Sequence, residues 1–106
     1  MIATLKKLLG IEPAPDFGQL IVAGATILDV RSKGEYAQGH IKGSVNVPLD
    51  QLKSFIAKQK GKGKDKAIIT CCASGMRSAN AKSILKSNGF SQVYNGGGWT
   101  SLNRYL

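Results

Sequence analysis

Apolar residues recur along the chain with two alternating periods, and the alternation lays out the elements. Thr26-Ile-Leu-Asp-Val30 is a short, apolar, partly β-branched run, the pattern of a strand covered on both faces. Ser44 to Val47, Ala67 to Thr70 and Gln92 to Tyr94 repeat that pattern, and Pro48 marks the end of the second. Between the strands the spacing lengthens to that of a helix. Leu49, Leu52, Phe55 and Ile56 share one face over 49–60, and Ala81, Ile84 and Leu85 share another over 78–88, with Gly89 as terminator. Asp16 with Gln19, and Ser32 with Glu35, stand three apart as capping pairs for two shorter helices closed by Gly24 and Gly39. Gly61-Lys-Gly-Lys-Asp65 reads as a polar loop, and Gly96-Gly-Gly98 leads into a terminal turn around Trp99 and Leu102. Strands alternating with helices predict an α/β fold, a small, mainly parallel β-sheet with helices on both faces.

Met1, Leu5, Leu8 and Leu9 fall on one helical face, and Pro13 and Pro15 stop that segment. The predicted organisation is an N-terminal leader over 1–15 and one domain over 16–106, which suits a chain of 106 residues. Lys6 and Lys7 occupy the place where a signal peptide carries its apolar centre, so a cytoplasmic location is expected. No stretch approaches the ~20 apolar residues needed to cross a bilayer. The formal charge of +9 comes mostly from lysine, and six lysines lie between Lys53 and Lys66. No aromatic interleaves them after Phe55 and no nucleic-acid signature accompanies them. They read as a solvated basic face that attracts small anions, with neither a nucleic acid nor a membrane as partner.

The chemistry concentrates in Ala67-Ile-Ile-Thr-Cys-Cys-Ala-Ser-Gly-Met-Arg-Ser78, a strand, a loop of small residues and a helix start. In an open α/β sheet, ligands bind at the carboxyl ends of strands, where this loop opens. Ala73, Ser74 and Gly75 are small enough for the backbone to curl with its N–H groups inward, making a nest for an anion at a helix N-terminus. A thiolate is such an anion, so the same geometry activates a cysteine as nucleophile. Cys71 and Cys72 are chain neighbours, about 3.8 Å apart at Cα and too close for an ordinary disulfide. On a strand their side chains point to opposite faces. Two cysteines and a single histidine make a poor zinc site, so no metal is expected.

The register of the glycine separates two readings. Counted from Cys71, five residues precede Arg77, the spacing of cysteine phosphatases, but Gly75 falls one place off. Counted from Cys72 the pattern is Cys-x-x-Gly-x-Arg-Ser, with a cradle sized for one sulfur atom. This loop resembles the active-site loop of rhodanese-type sulfurtransferases. Leu28-Asp-Val-Arg31, Glu35-Tyr-x-x-Gly-His-Ile-x-Gly-Ser44, Val45-Asn-Val-Pro48 and Gly96-Gly-Gly-Trp99 resemble further segments of single-domain rhodaneses, in family order.

The resemblance implies a rhodanese-like fold and transfer of sulfane sulfur from a donor such as thiosulfate to cyanide or a thiol, a protein thiol included. Cys72 would be the catalytic nucleophile, carrying the sulfur as a persulfide. Ala73, Ser74, Gly75, Met76 and Arg77 would bind substrate, and no cofactor is implied. Asp29, Arg31 and Cys71 would lie near the site as support. Asp29 would either serve the site, by hydrogen-bonding the loop or pairing with Arg77, or be a buried polar anchor, and His40 would tie a turn. The alternatives are a persulfide carrier or interaction module without turnover, and a Cys71-based phosphatase-like or arsenate-reductase-like enzyme. The expected state is a monomer or weak dimer.

Overall fold

The computed structural model describes residues 15–106, so the leader expected over 1–15 lies almost wholly outside the described residues. Helix α1 (Phe17–Val22) opens where the Asp16 carboxylate accepts the Gln19 N–H at 3.0 Å, as the capping pair predicts. Strand β1 (Thr26–Asp29) leads to α2 (Lys33–Gln38), which carries the full Ser32–Glu35 capping box. Strand β2 (Val45–Asn46) is followed by a single 3₁₀ turn (Leu49–Gln51) and α3 (Leu52–Gln59). Strand β3 (Ile68–Cys72), α4 (Met76–Ser87), β4 (Val93–Gly98) and α5 (Trp99–Asn103) complete the chain.

All four strands are parallel, in the order β2-β1-β3-β4. The chain therefore builds outward from β1 to β2, then crosses back to place β3 on the other side of β1. The carboxyl ends of β1 and β3 flank the point where the winding reverses, the place where such sheets form a ligand crevice. Asp29 stands opposite Cys71 at that point. One face of the sheet packs Leu28, Val30, Cys72 and Val93 against Leu52 and Ile56 of α3 and Ala81 and Leu85 of α4. The opposite face packs Ile27, Ile69 and Cys71 against Leu102 of α5 and the apolar side of α1. Helices on both faces, as the alternation predicts, explain why the strands read as continuous apolar runs.

Three elements near the loop differ most in position from the pattern-based boundaries. Strand β3 runs on through both cysteines instead of ending at Thr70, and α4 begins at Met76, two residues before Ser78. Strand β4 continues past Tyr94 across the whole glycine run, pairing Gly98 with Cys72. Glycines carry no side chain to announce a strand, and here that absence is the condition for pairing. A Cβ on Gly96 would lie 2.8 Å from both Ile69 Cγ2 and the Thr70 carbonyl oxygen. Between the pairs Thr70–Asn95 and Cys72–Gly98 the register slips by one residue, a bulge with Gly97 at φ +76°.

Candidate active site

Strand alternation sends the two cysteines to opposite faces of β3, as the sequence requires. Cys71 is buried against Ile27, Ile41, Ile69 and Leu102, and that burial pushes its thiol up to about 12. A thiol held so far above neutral pH in an apolar layer is a packing group.

Cys72 faces the other way, at the mouth of the loop. Its Sγ accepts the Gly75 N–H at 2.9 Å and the Ser78 N–H at 3.3 Å. The local sequence dictates this geometry. Gly75 takes φ +105°, a conformation that L side chains rarely adopt, and so turns the chain into α4 within three residues of the sulfur. Helix α4 has no side-chain N-cap; its third amide, the one that a Ser or Asp oxygen usually accepts, points at the Cys72 sulfur instead. The thiol group therefore caps a twelve-residue helix, and the helix dipole favours negative charge at that point. Ala73, Ser74 and Met76 are exposed on the outer side of the loop, and Cys72 itself has no accessible surface. Of the three loop residues expected to turn their N–H groups inward, Ala73, Ser74 and Gly75, only Gly75 bonds the sulfur. The second donor, Ser78, lies beyond them, although it closes the Cys-x-x-Gly-x-Arg-Ser pattern.

Arg77 does not reach across to Asp29. It forms a two-pronged ion pair with Glu35 of α2, Nη1 to Oε1 at 2.7 Å and Nη2 to Oε2 at 3.0 Å. The Arg77 guanidinium, aided by the Ser32 N–H, holds the Glu35 carboxyl down to about 2. Asp29 pairs instead with Arg31, whose Nη2 donates to Oδ2 at 2.8 Å and whose Nε lies 3.0 Å from Oδ1. Of the two roles open to Asp29 from sequence, the buried anchor is the one realised. Arg31 also donates to the Gly39 carbonyl oxygen at 2.6 Å and lies over the Trp99 ring, 4.7 Å from its centre. It therefore ties β1, α2 and the start of α5 together. His40 is exposed, stacks on Tyr36 with ring centres 3.7 Å apart and holds Nδ1 2.7 Å from the Tyr36 carbonyl oxygen. Among the described residues, no cluster of His, Cys, Asp and Glu has a metal-holding arrangement.

Sequence reasoning passed over Glu35, Ser78 and Asn95 as site residues. Glu35 appeared as a helix cap, which it is, and as the first residue of a family segment; its pairing with Arg77 depends on a partner 42 residues away. Asn95 carried no local signal, because its significance arises only where β4 bulges beside the loop.

Comparison with known proteins gives the family and the fold. The family model for the rhodanese-like domain matches residues 14–104. The chain is 35% identical over 82 residues to thiosulfate sulfurtransferase PspE of Escherichia coli K12, covering 77% of this chain and 78% of that one. It is 37% identical over 71 residues to the uncharacterized protein YqhL of Bacillus subtilis 168, covering 67% of this chain but only 54% of that relative. The solved structure of a rhodanese with anions from E. coli superposes with a TM-score of 0.67 at 33% identity, covering 74% of this chain and 91% of that one. With the expected motifs, the parallel sheet and the cysteine loop at its switch point all in place, the chain belongs to the rhodanese-like domain family.

Proposed function

We propose that this protein is a sulfurtransferase that moves sulfane sulfur through a persulfide on Cys72. The observation that carries the reading is the pair of amides, Gly75 and Ser78, aimed at the Cys72 sulfur from the N-terminus of α4. With thiosulfate as donor, the Cys72 thiolate attacks the outer sulfur. A new S–S bond forms, the old S–S bond breaks, and sulfite leaves with the bonding electron pair. The enzyme persulfide keeps the single negative charge of the thiolate, and the amides that faced the thiolate face that charge too. A cyanide ion or a thiolate then takes the outer sulfur and returns Cys72 as thiolate, so one difficult transfer becomes two easier ones. The step needs no outside oxidant, metal or cofactor.

Because Cys72 has no accessible surface, donor entry requires the short loop 73–75 to shift. Ala73 and Ser74 are small and exposed, and the Gly75 N–H bond to the Cys72 sulfur must open for the donor to enter. Ala73, Ser74, Gly75 and Met76 form the wall that meets the donor. Arg77, tethered to Glu35, holds the first turn of α4 against α2 while adding positive charge beside the loop. The net charge of +9 favours the approach of an anion.

The test combines thiosulfate and cyanide with detection of thiocyanate, and an intact mass for an adduct of about 32 Da, one sulfur atom. Cys72→Ser is expected to abolish both signals, and Cys71→Ser to retain them. An adduct on the Cys72→Ser variant would overturn the assignment. An adduct without thiocyanate would mark a persulfide carrier.

A further inference from the structure

We infer that Asn95 is a positioning residue that holds both amide donors on the Cys72 sulfur. It makes no contact with the sulfur and works through two supports. Asn95 Oδ1 accepts the Ser78 hydroxyl at 2.6 Å and the Gly97 N–H at 2.9 Å. The first bond concerns one donor directly, because the Ser78 N–H points at Cys72 Sγ. The second concerns the other donor. Gly97 is the neighbour of Gly75 across the bulge, since a Cβ added to Gly75 would lie 3.4 Å from Gly97 Cα. One oxygen at the bulge of β4 thus stands behind both halves of the sulfur cradle.

Proton directions in this cluster leave one arrangement. A carbonyl oxygen has no hydrogen, so the Ser78 hydroxyl must donate to Asn95. The amide cannot be turned over, because its NH₂ would then face the Gly97 N–H. With the Ser78 proton committed, the Thr70 hydroxyl, 2.8 Å away and fully buried, acts as donor toward Ser78 Oγ, the Ser78 carbonyl at 3.0 Å or the Tyr94 carbonyl at 3.3 Å. Ser78, itself fully buried, is therefore clamped between β3 and β4 by its side chain while its backbone N–H serves the sulfur. Asn95 is exposed as a residue, so trimming its side chain opens no cavity in the core.

This inference rests on the proposed role of Cys72, and its test is chosen to separate the two. The first readout is the rate at which iodoacetamide alkylates Cys72 in the folded protein at pH 7, located by fragment mass so that Cys71 is scored apart. The second is kcat and KM for thiosulfate. Asn95→Ala and Ser78→Ala are each expected to slow alkylation about tenfold, the scale of one hydrogen bond to a charged group. They should lower kcat similarly with little change in KM. The double variant is expected to be no slower than the slower single one, since both act on the same donors. Asn95→Asp, which keeps an acceptor oxygen at that point, should restore most of the rate. Asn95→Ser, too short to span both bonds, should behave as Asn95→Ala and serves in its place if that variant fails to fold. Unchanged or faster alkylation in the truncated variants, effects that simply add, or no rescue by Asn95→Asp would each overturn the inference. A wild-type protein that takes up no sulfur sinks the sulfurtransferase reading instead, and the alkylation arm still judges Asn95.

Discussion

Cys71 and Cys72 are the same side chain one place apart, and the pleat of β3 gives them opposite fates. Cys71 meets aliphatic side chains and its thiol is held far above neutral pH, while Cys72 meets two N–H groups. A comparable division holds for the cations near the loop. Arg77 is spread across a half-exposed carboxylate, whereas Arg31 is buried with Asp29 and donates to two backbone carbonyls. Burial makes the second pair the more costly to break. Arg31→Met, close to Arg31 in length, leaves the Asp29 carboxylate buried without its partner and is expected to cost about 3–5 kcal/mol, measured by urea unfolding. Replacing both residues with apolar ones of similar volume should recover much of that loss. A double variant as unstable as Arg31→Met would show that packing over Trp99, and not charge, carries the effect.

At the level of elements, β4 determines how the loop is held. Three consecutive glycines allow it to approach β3, to bulge between Asn95 and Gly98 and to lie against the chain at Ala73 and Gly75. The three are not equivalent. Gly97 needs its positive φ, while Gly96 needs the missing side chain, since a Cβ there would meet Ile69, the Thr70 carbonyl and Leu102 within 2.9 Å. Gly96→Ala is therefore expected to destabilise the fold by about 1–3 kcal/mol through overpacking against backbone that cannot move aside. The fall should appear as a lower urea midpoint with an unchanged m-value. Stability unaffected by Gly96→Ala would mean that β4 has room to withdraw. Helix α4 is the second decisive element. Its missing side-chain cap and the sulfur in that place are one feature seen from two sides.

Across the whole molecule, Glu35 and Arg77 join the α2 edge to the start of α4, two elements that share no strand pairing. This link has a pH signature. The carboxyl of Glu35 ionises near 4.5 in an unfolded chain and near 2 in the folded one, mainly through Arg77. Between those values the unfolded chain binds more protons, so stability falls as pH falls. The contribution is fully present above about 4.5 and lost as pH drops through about 2. Melting curves of the wild type and Glu35→Gln should accordingly differ by a constant amount above pH 4.5 and converge in acid. A difference that persists unchanged at pH 2 would assign the effect to the α2 cap and not to the ion pair. Among the described residues no helix is long and apolar enough to cross a membrane.

Much of this architecture was legible in the order of residues alone. The alternation of periods, the two capping pairs, the apolar strands and the opposite facing of the cysteines all arise from interactions within a few residues, where backbone geometry translates sequence directly into structure. The loop motif also carried the family resemblance, and the buried-anchor role of Asp29 was one of two that its position at a strand end allowed. What required the folded chain was every relation across elements. Which amides reach the sulfur, that Arg77 turns to Glu35 and Asp29 to Arg31, and that Asn95 backs the cradle depend on strand ends far apart in sequence being brought side by side. The glycine run shows the reason most plainly. A residue with no side chain gives no signal of what it approaches, and only the neighbouring strand and loop reveal why nothing larger fits.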